Sequence, residues 1–176
     1  MTGVLTCALP IYLPEIYRVL KPGSHCYVMT NNLNLRDLLN VGAAVGFHFH
    51  NLLRWDKSNV TANRWYMKDS EHIVFFGKSP AKAINDCGSK QGFKVANIPS
   101  ADRSHPTEKP VALVAHYIEN SSAPSDLVFD PFAGSGSTAV AAIALGRRWL
   151  SLEIDPEYFL AAALRIGIHS IACQTV

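Results

Sequence analysis

The stretch at residues 127–155 constrains this chain more than any other. Leu127-Val128-Phe129 is a short apolar run that predicts a buried strand. The turn Asp130-Pro131-Phe132-Ala133-Gly134-Ser135-Gly136-Ser137 follows. Residues 138–145 are Ala-rich and of helical length, and Gly146 is placed to cap them. Residues 149–152 predict a second strand, ending on Glu153 and Asp155. Strand, glycine turn, helix, strand and acid is the layout of a nucleotide-type cofactor site. Gly134 and Gly136 permit positive φ and close approach of backbone to a ligand. The helix start directs free N–H groups into the same crevice. Glu153, at the carboxyl end of the second strand, is placed to accept hydrogen bonds from ribose hydroxyls.

The glycines alone do not choose the cofactor, because Gly134-x-Gly136-x-x-Ala139 also fits the dinucleotide fingerprint. The flanks distinguish the ligands. Asp130 stands just before the glycines, where it would repel a diphosphate and attract an ammonium. A ligand with an amino-acid head and a nucleoside tail suits Asp130 and Glu153, and S-adenosylmethionine is such a ligand. A helix-capping turn with no ligand is the plainer alternative.

The nine residues Asp130 to Thr138 resemble the cofactor motif of the DNA amino-methyltransferases, which modify adenine N6 or cytosine N4. Upstream, His105-Pro106-Thr107-Glu108-Lys109-Pro110 is similar to the segment that precedes this motif in the family. Downstream, Glu153-Ile154-Asp155-Pro156-Glu157-Tyr158 is similar to its acidic strand end and next helix start. Arg18-Val19-Leu20-Lys21-Pro22-Gly23 resembles a turn of the catalytic half. The order resembles the subgroup with the catalytic half first and the cofactor half last. The resemblance implies an α/β fold: a Rossmann-like methyltransferase sheet, mostly parallel with an antiparallel edge hairpin and helices on both faces. It implies S-adenosylmethionine as cofactor, held by Thr107, Lys109, Pro110, Asp130, Phe132, Ala133, Gly134, Ser135, Gly136, Glu153 and Asp155. It further implies double-stranded DNA as partner, allows a homodimer, and fits a phage or bacterial restriction–modification setting. Without the resemblance, residues 107–110 read as the cap and first-turn Pro of a helix.

The family's catalytic tetrapeptide, Asp/Asn/Ser-Pro-Pro followed by an aromatic, occurs nowhere in these 176 residues. In the family it holds the amine hydrogens and stacks on a flipped base; no catalytic residue is therefore assigned, and this polypeptide is expected to be inactive. Residues 1–11 look like the conceptual translation of a common sequencing-library adapter and are read as a non-native leader. Residues 12–176 are then one methyltransferase domain, a fragment, with 79–104 a short recognition segment or loop. Two alternatives stay open: a binding-only degenerate methyltransferase and a dinucleotide-binding oxidoreductase. Cytosine C5 chemistry needs a Cys after a Pro, and the residues before the four cysteines are Thr6, His25, Asp86 and Ala172.

Composition narrows the setting. The four cysteines (Cys7, Cys26, Cys87, Cys173) show no paired spacing, which favours a reduced, cytoplasmic location. No apolar run reaches membrane-spanning length, and Cys and His form no metal-ligand pattern. His48 and His50 alternate on an expected strand and read as packing residues. The net charge of +2 conceals a basic middle: residues 54–109 hold ten Lys or Arg against six Asp or Glu. Aromatics interleave with it, which fits a surface facing nucleic acid, with Lys57, Arg64, Lys68, Lys90 and Lys94 as the expected DNA contacts. The link at residues 56–69 is placed to reach over the target base.

Elsewhere, Leu13, Ile16, Tyr17 and Leu20 have helical spacing, and residues 25–30 predict a strand. Residues 31–46 predict a helix capped by Asn34, with Leu35, Leu38, Leu39 and Ala43 inward. Residues 47–55 and 71–78 predict the hairpin strands. Residues 111–120 and 156–168 predict helices, the first with Leu113, Val114 and Tyr117 on one face.

Overall fold

The structure, a computed structural model, describes residues 3–62 and 64–174. The chain forms two compact units, Met1–Lys94 and Val95–Val176. The architecture is α/β, as expected.

The first unit runs α1 (Gly3–Val19), β1 (His25–Thr30), α2 (Leu35–Val45), β2 (His48–Thr61), β3 (Lys68–Gly77) and β4 (Gly92–Lys94). Helix α1 starts well before Tyr12 and passes through Pro10 and Pro14. Each proline removes a backbone donor, so the sequence pattern shows only the later turns. Of the expected leader, Met1 and Thr2 lie outside the described residues. Leu9, also within it, is buried with Leu13, Leu38, Phe47, Val74 and Phe76.

Helix α2 has Asn34 at its N-cap position without a side-chain cap bond. Asn31 takes that role in the preceding turn, where its Oδ1 accepts from the Leu33 and Asn34 N–H groups. Gly46, at φ +105°, closes the helix in the left-handed conformation. The inward face differs from expectation at one position. Leu35, Leu38, Leu39 and Gly42 follow the i, i+3, i+4, i+7 stripe, whereas Ala43 is exposed. A Cβ on Gly42 would lie 2.5 Å from Cζ of the buried Phe76 ring.

The four strands form one sheet in the order β1-β3-β2-β4. Strands β1, β2 and β4 run the same way, and β3 runs against its neighbours. Strand β3 lies between β1 and β2, so the β2–β3 hairpin is the antiparallel element of this sheet, with only the three-residue β4 beyond β2. Ile73, Val74, Phe75 and Phe76 are all buried, and a strand covered on both faces reads as a continuous apolar run. Strand β4, in the expected loop 79–104, is three residues long and too short to leave a periodic signature. His48 and His50 stack edge to face, 4.7 Å between ring centroids.

The second unit opens with a 3₁₀ turn (Ser100–Asp102) and continues with α3 (Val111–Ser121), β5 (Leu127–Asp130), α4 (Ser137–Ala144), β6 (Arg148–Ser151) and α5 (Pro156–Gln174). Strands β5 and β6 are parallel, from Leu127 opposite Arg148 to Asp130 opposite Ser151. A parallel pair requires a crossover, which α4 supplies. Ala141 and Ala142 of α4 pack with Ile118 of α3, and Ala139 and Val140 pack with Ala162 and Ile166 of α5. Leu113 and Tyr117 are buried on α3 as the spacing predicted. Among the described residues no helix is long and apolar enough to cross a membrane.

The α2 register is testable. Gly42→Val should lower unfolding free energy by about 2 kcal/mol through overpacking against Phe76. Ala43→Glu should stay within about 0.5 kcal/mol of the parent. Urea denaturation of the two variants checks both.

Candidate functional site

The bend after β5 is shaped by hydrogen bonds that return to β6. The Ala133 N–H donates to the Leu152 carbonyl at 2.8 Å. The Gly134 N–H donates to Glu153 Oε2, also at 2.8 Å. Glu153 Oε1 accepts from the N–H groups of Ile154 and Asp155, at 2.9 and 3.0 Å. Asp130 Oδ1 accepts from the Phe132 N–H at 2.9 Å. Two carboxylates thus stand at the carboxyl ends of adjacent parallel strands, one on each side of the bend. Such acceptor-only groups suit hydroxyl and ammonium donors and oppose a diphosphate.

The two glycines of the bend do different things. Gly134 has φ +51°, and a Cβ there would meet the His105 ring at an ordinary 3.6 Å. Gly136 has φ +77°, is buried, and would place a Cβ 3.2 Å from Ile166 Cδ1. Its left-handed backbone and the packing of α5 both demand glycine there. Ser135 also turns inward: it is buried, its Oγ 3.1 Å from that of Ser137. Phe132 is exposed, and Ala133 is half-buried.

Residues 105–110 lie against this bend. Ser137 Oγ donates to the Lys109 carbonyl at 2.8 Å. The His105 ring packs edge to face on Tyr158, 4.2 Å between centroids. Thr107 Oγ1 is 3.0 Å from His105 Nδ1, which also accepts from the Thr107 N–H. Pro110 is buried at the N-cap of α3. Asp155 Oδ1 accepts from the Glu157 and Tyr158 N–H groups and caps α5.

A buried ion pair holds the segment in place. Glu108 is only 8% exposed and meets Arg165 Nη1 at 2.7 Å. Its other oxygen accepts from the Ser104 N–H and hydroxyl. Arg165 also donates to the Ser135 carbonyl. Burial pushes the Glu108 carboxyl up, but the Ser104 donors, the Arg165 guanidinium and the His105 backbone outweigh it and hold the carboxyl below its usual value.

The five expected DNA contacts all lie in the first unit. Arg64, Lys68, Lys90 and Lys94 are exposed. The Arg64 guanidinium lies 5.5 Å from the centre of the Trp65 ring. Lys57 differs: its ammonium is paired with Glu71 and sits over the Trp55 ring.

A family model, N6_N4_Mtase (DNA methylase), matches residues 11–164. The chain belongs to this DNA methylase family. The methylase chain is 29% identical over 193 residues to the DNA adenine methyltransferase YhdJ of Escherichia coli K12, covering 90% of this chain and 65% of YhdJ. It is 30% identical over 169 residues to the type II methyltransferase M2.DpnII of Streptococcus pneumoniae, covering 84% and 62%. It therefore spans less than two thirds of either relative. The crystal structure of the M1.HpyAVI–SAM complex shares the fold, with a TM-score of 0.80 at 24% identity, over 90% of this chain and 81% of that one. The PvuII DNA methyltransferase, cytosine-N4-specific, does so with a TM-score of 0.75 at 21% identity, over 92% and 74%.

The structure of the methylase chain adds four residues to the set read from sequence: His105, Glu108, Tyr158 and Arg165. Glu108 carried a signal, an acid inside a Pro-flanked segment before a helix. Arg165 carried none, since its partner is 57 positions away. Glu108→Gln should cost the fold about 2 kcal/mol at pH 7, the worth of its charge-assisted bonds. Because the folded carboxyl lies below its ordinary 4.5, its contribution is complete above that value and is lost as pH falls through the folded one. The gap between parent and variant in thermal melts should therefore close in acid.

Proposed function

We propose that the second unit binds S-adenosylmethionine at the acid-flanked bend and that the chain is part of a DNA methyltransferase acting on an exocyclic base amine. The observation that carries this reading is Glu153, whose carboxylate joins the strand end to Gly134. Glu153 would accept the ribose hydroxyls, and Asp130 would attract the ammonium of the amino-acid head. Phe132 and Ala133 would border the nucleoside, and Thr107 and Lys109 would face the carboxylate. The backbone of Ser135 and Gly136 turns the chain, and Pro110 and Asp155 start the helices that frame the hollow. The cofactor supplies a methyl group on an electrophilic sulfonium.

An exocyclic amine is a poor nucleophile because its lone pair is delocalised into the ring. Transfer therefore depends on acceptors that hold the amine hydrogens in line with the methyl donor. The resemblance assigns that task to the tetrapeptide that these 176 residues lack. These 176 residues are therefore read as a methyltransferase fragment that binds S-adenosylmethionine weakly, meets DNA and transfers no methyl group. Adenine N6 is the favoured target, supported by the name of YhdJ. Double-stranded DNA is the partner, met by Arg64, Lys68, Lys90 and Lys94, with Lys57 bracing the hairpin.

Calorimetry of the full chain should show binding of S-adenosylmethionine and none of NAD. Glu153→Ala should weaken it about tenfold or more, the equivalent of a bond of about 1.5–3 kcal/mol. Tritium transfer from the labelled cofactor to duplex DNA should be absent. Preference for NAD would replace this reading with the oxidoreductase, and measurable transfer would overturn the expected inactivity.

A further inference from the structure

The β2–β3 hairpin carries an exposed tip that the fold of its own unit does not explain. Trp65 is 80% exposed, Tyr66 92% and Met67 66%. Three large apolar side chains stand in succession at the end of a two-stranded arm and bury little against the protein. Single exposed apolar residues are ordinary, but a contiguous group marks a contact surface. The group is bracketed by cations: Arg64, whose guanidinium lies over Trp65, and the exposed Lys68.

The arm is also bent in a defined way. Strands β2 and β3 pair regularly from Asn51 opposite Phe75 to Asp56 opposite Ser70, then pair again at Thr61 opposite Lys68. Lys57, Ser58, Asn59 and Val60 therefore stand against the single residue Asp69. Within this bulge Ser58 holds φ +60°, a conformation that costs a non-glycine residue on the order of 1 kcal/mol or more. Bulges re-aim what lies beyond them. At the base of the arm the Lys57–Glu71 pair ties the two strands together.

We propose that Trp65, Tyr66 and Met67 form a nucleobase-stacking tip, which packs its rings on unpaired bases of the DNA while Arg64 and Lys68 meet the flanking phosphates. This rests on the reading of the chain as a DNA methyltransferase. Aromatic rings beside cations match the two chemistries of a nucleic-acid strand, π-faces and phosphates. Bases within an intact duplex already stack on one another, so the tip gains a partner only where a base has left the stack. The bracketing positive charge favours a polyanionic strand over an uncharged apolar protein face.

The test compares a matched duplex with one containing a single mismatch, by fluorescence anisotropy with the full chain across a salt series. Trp65→Ala/Tyr66→Ala should weaken binding to the mismatched duplex about tenfold or more, weaken the matched duplex much less, and leave the salt slope unchanged. Lys68→Ala should instead reduce the salt slope by about one and weaken both duplexes alike. Circular dichroism should show both variants folded, since the changed residues are exposed. Parent-like binding by the double variant would overturn the proposal, as would equal losses on both duplexes. A change in self-association by sedimentation with DNA binding intact would also overturn it, in favour of a protein contact. If the parent chain binds neither duplex, the methyltransferase reading falls as well, which separates the two failures.

Discussion

The hydrogen bond from the Gly134 N–H to the Glu153 carboxylate couples the two halves of the candidate site. Glu153 lies just beyond β6, and Gly134 lies in the bend beyond β5. Strands β5 and β6 are hydrogen-bonded neighbours in parallel register, so the ends of both strands open on the same side. The carboxylate then draws the bend across that opening and accepts two further backbone donors of its own strand end. A carboxylate held by several N–H groups is fixed in direction. The site is therefore organised before any ligand arrives, which reduces the ordering cost of binding.

A second tie works from the opposite side. Glu108 and Arg165 join the segment before α3 to α5, and Arg165 reaches the Ser135 carbonyl at the start of α4. Breaking one partner of such a pair costs more than never having built it, because the remaining charge is left buried. This accounts for a buried acid inside the segment that carries Thr107 and Lys109. Gly136 belongs to the same framework. The absence of its side chain brings Ile166 and Ala162 of α5 close to the bend, where a larger residue would push the helix off.

Local signals were legible in the sequence wherever structure follows from local chemistry. The bend, α4 and both flanking strands could be read from Leu127 to Glu153 because each step is short-range: an apolar run, a turn, a helix length, an acid. Residues 25–30 and 111–120 were legible for the same reason. The burial of β3 is written in the unbroken apolar run of Ile73 to Phe76. On α2 the 3.6-residue period selects Gly42 for the inward face instead of the expected Ala43. The Glu108–Arg165 pair and the Lys57–Glu71 pair were not legible at all. Long-range ion pairs leave no spacing in the sequence, and their partners are fixed only once the fold brings them together.

The proposed ribose-side contact is made by Glu153 and Gly134. It can be followed in amide nitrogen–proton correlation spectra recorded while S-adenosylmethionine is titrated into the labelled full chain. Saturable shifts are expected for the Gly134, Ile154 and Asp155 amides, which all donate to the Glu153 carboxylate, with no shift of them on adding NAD. Unmoved resonances for these three amides at saturating cofactor, or movement with NAD instead, would contradict it.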